Sequence, residues 1–292
     1  MIANINDGSG NPPRLRVDLN FGNLWELPDW SSGPTGSTDE VLAAIALAGF
    51  EGLQGGDPPK CAKAGLASTA FGLVRQHEGT KPADLAGLAA MWRDFGNQCA
   101  TLHLGTGLES DDDAHRLIES VLEASASTGF PLYVETHRAT LTQDLWRTVQ
   151  FVERYPELRF NGDFSHWYTG LEWTYGDPAA KREFAAPVLD RVCFMHGRIG
   201  STGSIQIDVG PEGDHEAVAE FRLLWTAAMR GFQASANPGD LLVFAPELLP
   251  SSINYARTVV GPDGESREES DRWEQALVLA RIARECWDAS SY

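Results

Sequence analysis

A chain of 292 residues, 42% of them hydrophobic, can build one large core, and its formal charge of −18 with a pI near 4.7 argues against a polyanion as partner. Nucleic-acid affinity rests on neutralising phosphates with Lys and Arg, and lysine occurs only at 60, 63, 81 and 181. No apolar run approaches the roughly 20 residues that span a bilayer, and the four cysteines lack CxxC spacing, so the expectation is a cytoplasmic protein that uses neither membrane nor nucleic acid.

The first residues, MIANINDGSGNPP, are polar and rich in Gly and Pro, without the charged-then-apolar pattern of a secretion signal. They predict a flexible segment over 1–13, ahead of one domain covering 1–292. Apolar runs of strand length then follow at 15–19, 52–54, 66–71, 100–104, 131–135, 158–163, 191–196 and 241–247. Most are continuous apolar stretches, as parallel strands covered on both faces require.

Segments of helical period lie between them. Leu117, Ile118, Val121 and Leu122 form one stripe, and Leu145, Val149 and Val152 a second. Val218, Phe221, Trp225, Ala228 and Phe232 form a third, and Trp273, Leu277, Ala280 and Ala283 a fourth. Each stripe packs a helix on a sheet and leaves the other face wet. Capping residues agree with the starts: Ser37 to Glu40, Asp111 to Asp113, and Thr142 to Asp144. Eight strand-helix units predict a parallel sheet closed into a single (β/α)8 TIM barrel. A doubly wound open sheet is the competitor, but the early glycine cluster lacks G-x-G-x-x-G. The longest strand-to-helix segments fall at 164–177, 197–213 and 248–266, on the face where barrel enzymes build active sites.

Four successive strands end in a group able to bind a divalent metal ion: Glu135, Asp163, His196 and Glu247. A lone strand-end carboxylate is more often a helix cap or an ion-pair partner. Four on neighbouring strands are another matter, because strands lie about 4.8 Å apart and their ends converge on one rim.

These residues resemble the xylose isomerase-like TIM barrels, which include sugar epimerases, hydroxypyruvate isomerase, inosose dehydratases and endonuclease IV. The family order of Glu, Asp-x-x-His, His-x-Arg and Glu is matched by Glu135, by Asp163 with His166, by His196 with Arg198, and by Glu247. The resemblance implies one divalent ion (Mn, Mg, Co or Zn) on Glu135, Asp163, His196 and Glu247, with His166 and Arg198 on substrate oxygens. It implies that Glu135 and Glu247 also carry protons, as catalytic residues of a keto-sugar or polyol isomerase or epimerase. A homo-oligomer is implied in the same way.

Other residues are candidates for substrate contact: His103 at the end of the fourth strand, His137 after Glu135, and Trp167. In xylose isomerase proper a lysine takes the place of His137 beside an additional metal site, which argues against that type of aldose isomerase. Trp25, Trp30 and Trp173 offer further ring faces, and Glu172 a polar contact, each balanced by simple loop packing. The run from Gly200 to Ser204 reads as a glycine lid or a phosphate-binding loop, with the lid favoured. A dehydratase of a keto-cyclitol such as an inosose uses the same metal and acid-base pair, and a barrel that only binds sugar is a third alternative. DNA repair of the endonuclease IV type is disfavoured by the charge and by the lack of histidine on the second and third strands.

Overall fold

A computed structural model describes residues 2–74, 84–261 and 264–291. Eight strands, β1 (Arg14–Asn20), β2 (Gly52–Gln54), β3 (Ala67–Val74), β4 (Ala100–Leu104), β5 (Leu132–Glu135), β6 (Phe160–Gly162), β7 (Val192–Gly197) and β8 (Asp240–Pro246), pair in parallel in that order. β8 then pairs in parallel with β1, with Arg14 opposite Leu241 and Val17 opposite Phe244, so the sheet closes on itself. Closure removes both sheet edges.

Helices wrap the outside because their apolar stripes match the strands' outer faces. Helix α1 (Thr38–Leu47) starts at a reciprocal capping box between Ser37 and Glu40. After α2 (Pro58–Lys63) and α3 (Leu85–Phe95), helix α4 (Asp111–Thr128) is capped by Ser110 and carries three aspartates in its first turn, where the dipole favours them. Asp144 caps α5 (Leu145–Arg154). On α8 (Ala217–Ser235), Val218, Phe221, Trp225, Ala228 and Phe232 are all buried. In α9 (Arg272–Ser290) the buried face includes Trp273, Ala280 and Ala283, whereas Leu277 lies at its margin beside Ala276 and Leu279.

Two expectations need correction. The start of the chain is tied down, not loose: Ile2 and Ile5 are buried, and Ile5–Asn6 pairs antiparallel with the beginning of β8. Tyr133 donates its hydroxyl to the Ala3 carbonyl (3.0 Å), so this segment packs on the N-terminal end of the barrel. The segment 164–177 is not an open loop, since it contains α6 (Ser165–Gly170) before α7 (Pro178–Leu189). Among the described residues no helix is long and apolar enough to cross a membrane.

Candidate active site

Parallel strands present their C-terminal ends on one face, and Glu135, Asp163, His196 and Glu247 meet there. One ligand atom from each lies within 4.8 Å of the others. Glu135, Asp163 and His196 are buried, and Glu247 keeps a small opening to solvent. His196 Nδ1 stands between the two glutamates, 3.4 Å from Glu135 Oε1 and 3.3 Å from Glu247 Oε2.

Local sequence explains the placement. Gly197 lets β7 pass close to β8, because a Cβ there would lie 2.4 Å from Phe244 Cζ. Asp163 divides its carboxylate: Oδ1 accepts from the Ser165 amide and hydroxyl and so starts α6, while Oδ2 faces the cluster. The residue is thus a helix-start acceptor and a site residue at once.

Arg198 is buried and bridges two of the acidic groups, donating from Nη2 to Asp163 Oδ2 and to Glu247 Oε2 (2.9 Å). Its guanidinium also lies 4.6 Å from the Tyr255 ring centroid. Its Nη1 is buried without a partner. His166 Nε2 is 3.5 Å from Asp163 Oδ2, and its Nδ1 also lacks a partner. His103, His137 and His166 form a stack, with neighbouring ring centroids 3.8 Å apart in both steps. His103 Nε2 reaches Glu135 Oε1 at 3.2 Å. His103, Glu135 and His137 therefore make a second group of ligand atoms within 4.8 Å, sharing Glu135 with the first.

Burial and charge act against each other here. Burial raises Glu135, but the imidazoles of His196 and His103 outweigh it and hold the carboxyl well below its usual range. Burial also raises Glu247, and the pull of His196 and Arg198 does not cancel it. Burial depresses His196, yet Glu247 and Glu135 lift it from 6.5 to about 9. Burial drives His137 down to about 4, and burial with the nearby His137 and Arg198 drives His166 well below 6.5, so the middle and inner rings of the stack are neutral near pH 7.

The cluster fits a divalent cation on chemical grounds. Three carboxylates and one imidazole are a donor set suited to hard or borderline ions. Glu135 Oε1 is buried without a hydrogen-bond partner of good geometry and lies within 4.8 Å of ligand atoms from the other three residues, so a carboxylate oxygen is left free to coordinate.

Several residues here carried no sequence signal that singled them out. Gln54, at the end of β2, accepts at Oε1 from Asn20 (2.8 Å), faces His196 Nε2 (2.8 Å) and donates to Thr101 (2.8 Å). Asn20 also donates to Glu247 Oε1 (2.9 Å). Asn161 donates to Glu135 Oε2 (3.0 Å); strand alternation, which puts it on the face of Asp163, was the available clue. Tyr255, from the loop after β8, has its hydroxyl 3.3 Å from His137 Nε2.

A cleft of about 320 Å³ opens above the cluster, with Asn20, Gln54, His103, His137 and Glu247 on its floor. Trp25 lines it, but the other aromatic candidates do not. Trp167 is buried, with its indole N–H on the Thr142 carbonyl (2.8 Å), because α6 turns the ring inward against Phe164. Trp173 is likewise buried on Glu220, and Trp30 and Glu172 are exposed away from the cleft lining. The segment from Gly200 to Ser204 closes on itself through Ser201 N–H to the Ser204 carbonyl (2.7 Å) and does not line the cleft.

No protein-family model and no curated protein matches the chain. Among solved structures it is similar to a xylose isomerase-like TIM barrel protein from Mycobacterium smegmatis in complex with magnesium, at 16% identity and TM-score 0.56, over 94% of this chain and 98% of that one. It is also similar to the probable 3-DHS dehydratase AsbF, involved in petrobactin synthesis, from Bacillus anthracis, at 13% identity and TM-score 0.54, over 92% and 97%. A candidate sugar phosphate isomerase/epimerase from Anabaena variabilis aligns at 10% identity and TM-score 0.52, over 95% and 99%. At these identities the likeness is one of fold: the chain shares the (β/α)8 barrel architecture of these proteins.

Proposed function

We propose that the protein is a divalent-metal-dependent isomerase or epimerase that moves a proton beside the carbonyl of a keto sugar or related polyol. The observation that carries this is the convergence of Glu135, Asp163, His196 and Glu247 at the strand ends, below a cleft. The magnesium complex of the similar barrel from M. smegmatis supports the metal. Glu135, Asp163, His196 and Glu247 would hold it, and it would supply Lewis-acid stabilisation of charge developing on a substrate carbonyl oxygen.

The chain's own residues account for the proton. Glu135 stays ionised and is suited to accept one, while Glu247 binds a proton more readily and opens onto the cleft. Two carboxyl groups whose environments drive their pKa values apart are the usual division between base and acid. Arg198 Nη1, on a permanently charged group, and His166 Nδ1 are unpartnered, buried and outside the cleft lining; on this reading they are the donors for a substrate oxygen that gains charge. His103 and His137 line the cleft floor as further substrate contacts. Four free, buried cysteines are consistent with the cytoplasm as the site of action, and a homo-oligomer belongs to the same proposal.

The test is NMR of Mn-, Mg-, Co- or Zn-loaded protein with keto sugars in D₂O. Exchange of a carbon-bound proton with metal-dependent product supports the proposal. An unsaturated product would instead support a dehydratase of a keto-cyclitol, the alternative favoured by the likeness to a barrel named for dehydration. Metal binding with no turnover of either class would leave a sugar-binding barrel.

A further inference from the structure

The walls of the cleft differ from its floor. Phe21, Trp25, Phe71, Leu73 and Ile253 all line it and are between 39% and 56% exposed. They come from three separate places: the turn after β1, the end of β3, and the loop after β8. Scattered exposed apolar residues are ordinary, but five large ones around one opening form a patch, and patches mark binding surfaces. The wall is continuous with the polar floor, since Phe71 packs edge-on against His103 at 4.7 Å between ring centroids.

A bare sugar does not suit such a mouth. Its outward hydroxyls would leave water and face Leu73 and Ile253, which return no hydrogen bond. A phosphate end is no better served, because none of the described lining residues is Lys or Arg. An aromatic ring, by contrast, would bury its faces against Trp25 and Phe71.

We infer that the substrate is two-ended: an uncharged, oxygen-rich ring whose reacting end reaches Glu247 on the polar floor, joined to an aromatic or other apolar group held by Trp25, Phe71 and Leu73. This rests on the proposed metal-dependent polyol chemistry and narrows its substrate class.

Matched probes test it. Methyl and phenyl glycosides of one sugar, and the corresponding sugar 6-phosphate, are titrated calorimetrically into metal-free and Mn²⁺-loaded protein, with Trp fluorescence followed in parallel. The phenyl glycoside is expected to bind about tenfold or more tightly than the methyl glycoside and to change the fluorescence, with or without metal. Trp25→Ala and Leu73→Ser, both at exposed positions, are each expected to erase most of that preference while leaving Mn²⁺ affinity unchanged. Equal binding of phenyl and methyl probes, no binding of any probe, or tightest binding of the phosphate each overturns the inference. So does a Leu73→Ser variant that keeps the aryl preference but turns a dimer into a monomer, because the wall is then a contact between copies. Failure to bind Mn²⁺ with the aryl preference intact overturns the metal proposal and leaves the apolar subsite standing.

Discussion

His196 Nε2 lies 2.8 Å from Gln54 Oε1, an atom that also accepts from Asn20 while the Gln54 amide nitrogen donates to Thr101. Those contacts orient the amide, and an amide oxygen only accepts. The imidazole therefore holds a proton on Nε2, and Nδ1, which faces Glu135 and Glu247, is the nitrogen that gives up its proton when the ring becomes neutral. In the proposed metal site, Gln54 would in this way select which ring nitrogen is offered to an ion.

Replacing Gln54 by Leu is expected to weaken metal affinity by roughly 10- to 100-fold, the usual cost of losing the partner of a ligating histidine. Titration of Mn²⁺ against a competing chelator measures it, with circular dichroism to verify the fold. A Gln54→Glu variant, which still accepts at this position, should recover much of the loss. Unchanged affinity in Gln54→Leu would mean that the contact does not orient the ligand.

Metal binding should depend on pH with a definite sign. His196 titrates at about 9 in the metal-free fold, so near pH 7 an ion must displace the Nδ1 proton. Affinity is then expected to rise about tenfold per pH unit toward pH 9, with close to one proton released per ion. Calorimetry in buffers of different ionisation enthalpy counts that proton. The same shift is a stability term: His196 binds its proton more tightly folded than at its ordinary 6.5. The contribution is fully present below 6.5 and is lost as pH rises through about 9. Metal-free wild type should therefore lose more Tm between pH 7 and 10 than metal-free His196→Gln.

Arg198 neutralises Asp163 and Glu247 from a fully buried position. Arg198→Ala should destabilise the metal-free protein by about 3 kcal/mol, since buried carboxylates lose their partner. Saturating Mn²⁺ should narrow the gap, because a cation then replaces the lost charge. Urea unfolding with and without metal reads both effects, and an equal deficit in the two conditions would refute the shared role.

Gly197→Ala places a methyl group against the Phe244 ring between His196 and Arg198. A cost of about 1–3 kcal/mol is expected from overpacking, with weaker metal binding as the neighbouring side chains shift. Adding Phe244→Leu should restore part of both. Thermal unfolding and Mn²⁺ titration of the single and double variants check this, and a neutral single variant would show that the strands can spread without consequence.

Much of the architecture was legible because its cause is local. Each helix carries its own stripe, as on α8, and each of the four cluster residues stands at or just beyond the end of an apolar strand. The polar lining was harder to see. Asn20 meets Glu247 and Gln54 meets His196 across the barrel interior, and Tyr255 reaches His137 from a loop 118 residues away. Trp167 shows the opposite error, where a position in a predicted loop proved to be a buried ring in α6.

Glu135, Asp163, His196 and Glu247 were therefore set on one rim by sequence alone, since parallel strands all end on the same side and hydrophobic period marks where they end. Their convergence within 4.8 Å, the tautomer imposed by Gln54 and the apolar mouth around Trp25 and Leu73 were decided by tertiary structure. The physical reason is range. A strand's polarity pattern depends on neighbours two residues apart, whereas barrel closure, the register slip between β6 and β7, and the paths of the loops depend on contacts between distant segments.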